Sequence, residues 1–186
     1  MILETDRLEL ISSNITFAKM TAEFYSRNKD FLKNWEPERT ESFYESEYQF
    51  FDLVDQIKNR RKDLEYRFWI FKAGKRDRII GSASLSGIIR GNFQSCFLGY
   101  KIDGRETNQG YMTEACERLI RYAFEDLKLH RIEINVIPDN DSSNRVVEKL
   151  MFRREGFSPR YLFINGKWKD HIRYAMTRED WINDQK

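Results

Sequence analysis

The stretch from Tyr100 to Ala115, Tyr-Lys-Ile-Asp-Gly-Arg-Glu-Thr-Asn-Gln-Gly-Tyr-Met-Thr-Glu-Ala, constrains the fold of this chain more than any other. A β-like run, Cys96 to Ile102, enters a polar loop holding Gly104 and Gly110, and a helix-like run from Thr113 to Leu127 follows. Unpaired backbone N–H groups and the positive end of the helix dipole converge at such a junction, so it is a ready anion site. Residues 108–113 are therefore expected to bind a phosphate-bearing ligand. A glycine there can also serve only to turn the chain, and the segments that follow decide between the two.

Arg131-Ile-Glu-Ile-Asn-Val136 alternates polar and apolar residues like a half-buried strand. Pro138-Asp-Asn-Asp-Ser-Ser-Asn144 then breaks the chain and offers cap residues to a short helix ending near Met151, and Phe152 to Phe157 reads as another strand. Upstream, Arg7 to Ile11 reads as a strand and Ile15 to Asn28 as a helix. Residues 29–43 read as an aromatic loop. Glu45 to Arg61 reads as a helix with Phe50, Phe51, Val54 and Ile57 at helical spacing. Tyr66 to Lys72, Arg78 to Ser86 and Phe93 to Ile102 suggest three antiparallel strands. Arg160 to Phe163 and His171 to Thr177 suggest a closing hairpin across Asn165-Gly166, a strong turn pair.

Composition excludes several classes. The 186 residues fit one domain, 1–186, and no repeat or linker suggests a second. With 40% hydrophobic and 15% aromatic residues the chain is too apolar for disorder, and a net charge of +2 predicts no sequence-specific nucleic-acid partner. No segment reads as a membrane span, and Met1 to Arg7 lacks the features of a signal peptide. Cys96 and Cys116 lack disulfide or metal spacing, and with two histidines no metal site is expected. A reduced, cytoplasmic setting follows.

The order of elements resembles the acyl-CoA-dependent acetyltransferases of the GNAT superfamily. Four segments sharpen the resemblance: Asn28 to Pro37 (Asn-Lys-Asp-Phe-Leu-Lys-Asn-Trp-Glu-Pro), Ile89 to Tyr100, Leu129 to Ile132, and Ile164 to His171. They look like the RimJ/RimL-type ribosomal-protein N-terminal acetyltransferases, with the RimJ branch nearer, and the likeness runs from about Thr5 to Trp181. It implies an α/β fold with a mixed, mostly antiparallel sheet flanked by four helices. The sheet should splay near Tyr100–Ile102 and Asn135–Ile137, its only parallel neighbours, so that pantetheine can lie in the splay like an added strand.

The resemblance also implies acetyl-CoA as cosubstrate. Its site is expected at Tyr100, Lys101, Ile102, Thr107, Asn108, Gln109, Gly110, Tyr111, Met112, Thr113, Asn140 and Ser143. The usual loop is Gln/Arg-x-x-Gly-x-Gly/Ala, whereas Thr107-Asn-Gln-Gly-Tyr-Met112 keeps only the central glycine. Backbone N–H groups can still hold the diphosphate, but a side-chain contact is lost and weaker coenzyme affinity is expected.

The implied reaction is direct attack of an amine on the thioester, which needs a neutral amine, a polarised carbonyl and a proton for the leaving thiolate. Ser143, three residues after Asn140, is a candidate catalytic residue, because RimL-like enzymes carry an Asn-x-x-Ser whose serine faces the coenzyme sulfur. The alternative is an ordinary residue of the helix N-terminus. The tyrosine that serves as proton donor in RimI-like enzymes is matched by Val147.

Glu36, between Trp35 and Pro37, is the second catalytic candidate, where a carboxylate beside an aromatic could receive an ammonium; the alternative is a surface glutamate. Trp35, Glu36, Tyr161 and His171 are the expected acceptor-binding residues. The water-activating glutamate of RimL-like enzymes is matched by Leu162. Asp170-His171 lacks a nucleophile, and Cys116 reads as an interior thiol.

The implied acceptor is the N-terminal alanine of ribosomal protein S5 or another protein N-terminus, with ribosome association and a monomer or homodimer as expected states. A small-molecule amine acetyltransferase and a non-catalytic acyl-CoA sensor or assembly factor are the alternatives.

Overall fold

The computed structural model describes residues 1–183. Eight strands form one sheet: β1 (Ile2–Glu4), β2 (Leu8–Ser12), β3 (Glu65–Lys72), β4 (Gly81–Ile89), β5 (Ser95–Ile102), β6 (Arg131–Val136), β7 (Arg153–Ile164) and β8 (Lys167–Thr177). Six helices accompany them: α1 (Ala18–Arg27), α2 (Lys29–Leu32), α3 (Ser46–Arg61), α4 (Tyr111–Glu125), α5 (Asp141–Lys149) and α6 (Arg178–Asn183). The strand order is β1-β2-β3-β4-β5-β6-β8-β7.

Among the described residues only β5 and β6 run parallel, paired from Ser95↔Arg131 to Phe97↔Glu133; the other pairings there are antiparallel. Beyond Phe97 the two strands separate while β5 stays bonded to β4 as far as Ile102. The expected splay is therefore present. It leaves the β6-facing edge of Tyr100–Ile102 without a strand partner, a strip of backbone donors and acceptors open to a ligand.

Strand β3 is buried on both faces, because side chains alternate across a sheet. Phe68 and Ile70 join the core under α4, while Trp69 and Phe71 join a second core with Phe24, Tyr25 and Leu53. Helix α4 meets the first core through Ala115, Cys116, Leu119, Ile120, Ala123 and Phe124, a two-residue stripe repeating each turn.

Several boundaries differ from the sequence reading. The first strand is preceded by β1, and the 29–43 stretch holds α2 and a 3₁₀ turn at Glu41–Tyr44. Helix α3 buries Gln49, Leu53 and Gln56, while Phe51 is 60% exposed and Phe50 also faces outward. Hydrogen bonding explains the inversion: Gln49 Nε2 donates to the Phe43 carbonyl (2.7 Å), and Ser13 Oγ donates to Gln56 Oε1 (2.5 Å). Amides with hydrogen-bond partners can occupy a core face that apolar periodicity assigns to phenylalanines, although Gln49 Oε1 itself is buried without a partner among the described residues.

The two strands read at 152–157 and 160–163 form one strand, β7, with a register irregularity between Ser158 and Leu162. Pro159 cannot donate to the ladder and Arg160 sits at φ 49°, so the strand bends there without ending. The hairpin turn falls at Asn165 (φ 46°) and Gly166 (φ 72°), as its sequence required.

Candidate active site

The loop between β5 and α4 is held from behind by buried ion pairs. Asp103 is almost fully buried and accepts from Arg27 Nε at 2.6 Å. Asn28 bridges α1 to the loop, accepting from the Gly104 N–H (2.9 Å) and donating to the Phe24 carbonyl (2.9 Å). Glu106 is 4% exposed and pairs with Lys72 (2.8 Å) and Arg78. Phe31 of α2 packs on Gly104, where an added Cβ would come within 3.1 Å of its ring.

At the other end of the loop, Gly110 caps α4 at φ 79°, a left-handed conformation that glycine adopts without steric cost. The N–H groups of Tyr111, Met112 and Thr113 have no acceptor among the described residues. With the helix dipole, these free N–H groups give the terminus the features that favour an anion. Arg7 fastens it from outside: Nη1 donates to the Gln109 carbonyl (3.0 Å), Nε donates to Glu114 (2.6 Å), and the guanidinium lies 4.7 Å from the centre of the Tyr111 ring. Against its partial burial, a bond from Thr5 Oγ1 (2.6 Å) and those from Arg7 hold the Glu114 carboxyl below the usual glutamate range. The sequence reading missed Arg7, which lies more than a hundred residues from its partners.

A cleft of about 280 Å³ opens in front of this terminus. Tyr100, Lys101, Ile102, Thr107, Asn108, Gly110, Tyr111, Met112, Thr113, Asn140 and Ser143 all line it. Gln109 does not: its amide turns back to Glu106 Oε2 (3.2 Å), so only its backbone remains near the loop. Open N–H groups, the unpaired edge of β5 and an elongated cleft between them fit a diphosphate joined to an amide chain.

Ser143 and Tyr100 meet across the cleft, Oγ to hydroxyl, at 2.7 Å. The helix cap belongs to Asn140, whose Oδ1 accepts from the Ser143 N–H (3.1 Å) and from Ser142 Oγ (2.9 Å). The Ser143 hydroxyl is thus not spent on capping. Burial pushes the Tyr100 phenol well above the usual tyrosine range, so it remains protonated and able to donate. Val147, on the inward face of α5, is fully buried and does not line the cleft.

Glu36 stands where this cleft meets a second one of about 300 Å³, which Tyr25, Lys33, Arg39, Phe43, Tyr44 and Asn165 help to line. Its carboxylate is already paired with Lys101 and lies 3.8 Å from Arg39, while its carbonyl accepts from the Asn165 N–H (3.1 Å). Trp35 lines the first cleft beside it. Glu36 is therefore not a free surface carboxylate, and an incoming ammonium would have to share it with Lys101.

Tyr161 and His171 line neither cleft, against the sequence expectation. His171 points into the fold, 3% exposed, with Nδ1 at 3.0 Å from the Lys169 carbonyl and the Tyr161 ring packed 5.5 Å away. Burial lowers its pKa, which favours the neutral imidazole. Asp170 accepts from the Arg160 N–H (2.7 Å). Cys96 and Cys116 are buried thiols, Cys96 pushed up to about 12 by burial. Among the described residues no cluster of three or more metal-ligating side chains occurs, and no helix is long and apolar enough to cross a membrane.

A splayed sheet with a glycine-opened helix terminus facing the splay defines an acyl-CoA-dependent transferase. The comparisons agree: residues 8–153 match the acetyltransferase (GNAT) domain, and the chain belongs to that family. It is an acetyl-CoA-dependent N-acetyltransferase. It is 40% identical over 166 residues to a Bacillus subtilis protein named probable N-acetyltransferase YjcK, covering 89% of this chain and 91% of the relative. It is 36% identical over 181 residues to the Escherichia coli [ribosomal protein uS5]-alanine N-acetyltransferase, covering 96% of this chain and 92% of that protein. The crystal structure of the ribosomal-protein-S5-alanine acetyltransferase from Vibrio fischeri superposes with a TM-score of 0.91 at 30% identity, covering 97% of this chain and 98% of the other. Mycobacterium smegmatis RimJ, solved with CoA-disulfide, superposes at 0.88 with 25% identity over 93% of this chain and 83% of its own.

Proposed function

We propose that this enzyme acetylates the N-terminal α-amine of a protein, with alanine or a similarly small residue first, and that ribosomal protein uS5 is its acceptor. The observation that carries this reading is the 36% identity to the uS5-alanine enzyme across nearly the whole of both chains. The local geometry supports it. Around Pro37, which has no N–H, the backbone N–H groups of Glu36, Glu38 and Arg39 have no acceptor among the described residues, which leaves donors beside the second cleft for a peptide backbone.

Acetyl-CoA supplies the activated acetyl group, and the chain's own residues manage position and protons. The N–H groups of Tyr111 to Thr113 hold the diphosphate, and the β5 edge at Tyr100–Ile102 aligns the pantetheine. The hydroxyl pair of Tyr100 and Ser143 returns a proton to the leaving sulfur. This tyrosine comes from β5, the wall opposite the Val147 position. Glu36, steadied by Lys101, draws the acceptor ammonium to the junction of the two clefts.

Little base strength is required. At pH 7.5 roughly a third of α-amines but only about 0.1% of lysine amines are neutral, a difference of about 3 kcal/mol. An acceptor panel following thiol release tests the proposal: an alanine-first peptide should react well, and spermidine poorly. Glu36→Gln should raise the peptide KM by about tenfold and leave the acetyl-CoA KM nearly unchanged. Faster reaction of spermidine than of the peptide would move the enzyme to the small-amine class.

A further inference from the structure

The charges lining the coenzyme cleft do not balance. Its two carboxylates are both engaged, Glu36 by Lys101 and Glu106 by Lys72 and Arg78. Two cations on its rim, Arg145 and Lys149 of α5, pair with no carboxylate among the described residues. Arg145 makes only a long bond from Nε to the Asp141 carbonyl (3.3 Å). Both are exposed, and with Ser142 and Val146 they form the α5 wall of the cleft. One turn apart, they are separated by about 6 Å along the helix axis.

Acetyl-CoA carries two separate anionic groups, the diphosphate and the ribose 3′-phosphate. The α4 terminus has N–H groups for one of them. We propose that Arg145 and Lys149 form the second anion site, a clamp for the 3′-phosphate, and so set the preference for CoA over dephospho-CoA. The guanidinium supplies directional donors and the ammonium a mobile point charge. Because both are solvent-exposed, the contact works on binding and its salt dependence, while the chemical step at Tyr100 and Ser143 is unaffected.

Isothermal titration of the protein with CoA and with dephospho-CoA tests this without turnover and without any acceptor. The wild type should bind dephospho-CoA on the order of tenfold more weakly. Arg145→Gln/Lys149→Gln should weaken CoA to that level and leave dephospho-CoA unchanged. Equal affinity of the wild type for both ligands would overturn the assignment with no variant needed. An equal loss for both ligands in the double variant would also overturn it, by placing the pair at the diphosphate or in a general field. If CoA discrimination holds while no peptide is acetylated, the acceptor proposal fails and this one stands.

Discussion

The two sides of the active site are built by different means. The proposed coenzyme side is a rigid frame: Asp103 and Glu106 are buried and clamped by cations from α1, β3 and the approach to β4, and Gly110 starts α4 in a left-handed conformation with no side chain covering its first-turn N–H groups. The proposed acceptor side is a seam of α2, the 33–40 loop and the β7–β8 turn, closed by one carboxylate, Glu36, and its contacts to Lys101, Arg39 and Asn165. A frame made from backbone geometry tolerates side-chain change, which is how the loop can replace every family residue but its glycine. A seam made from side chains cannot, so acceptor choice is concentrated in few residues.

The comparison breaks most readily at Gly110. Gly110→Asp puts a side chain at φ 79°, with an added Cβ 3.3 Å from Arg7 Nη2, and a negative charge at the anion site. Saturating acetyl-CoA, at about a hundred times its Kd, should stabilise the wild type by roughly 2.7 kcal/mol, read as a rise in Tm. The variant should show almost no rise. Equal shifts would place the coenzyme elsewhere.

A smaller effect separates catalysis from capping on α5. Ser143→Ala should lower kcat by tenfold or more with acetyl-CoA affinity retained, because the hydroxyl works with Tyr100. Its stability should hardly change, since Asn140 makes the cap. Asn140→Ala should lose about 1 kcal/mol in denaturant unfolding. The reverse pattern, a stability loss in Ser143→Ala with kcat intact, would return the serine to a structural role.

The frame was largely legible in the sequence and the seam was not, for physical reasons. A strand, two glycines and an amphipathic helix report backbone geometry directly, so every residue named from Tyr100 to Thr113 lines the cleft except Gln109. The Asn140 cap was within reach of the same reasoning, but its tenancy freed Ser143 in a way that only coordinates show. Arg145 follows Ser142 by three residues and Lys149 follows Arg145 by four, a signal that could have placed them on the cleft wall.

His171 was expected on the acceptor side through the likeness of the Ile164–His171 segment, yet strand alternation turns it into the fold. Phe50 and Phe51 looked like core and face solvent, because Gln49 Nε2 and Gln56 Oε1 found hydrogen-bond partners inside. The Lys101–Glu36 pair joins residues 65 apart, and no local pattern reports such a contact.

The most direct test of α-amine specificity is an internal competition. One peptide with a free N-terminal alanine and one interior lysine is acetylated to low conversion, and the modified nitrogen is located by fragment mass spectrometry. The difference of about 3 kcal/mol in deprotonation alone corresponds to roughly a hundredfold excess of N-terminal product. N-terminal acetylation at or above that excess is the expected result. Comparable or preferred acetylation of the lysine would contradict an α-amine transferase and make the seam at Glu36 a site for side-chain amines.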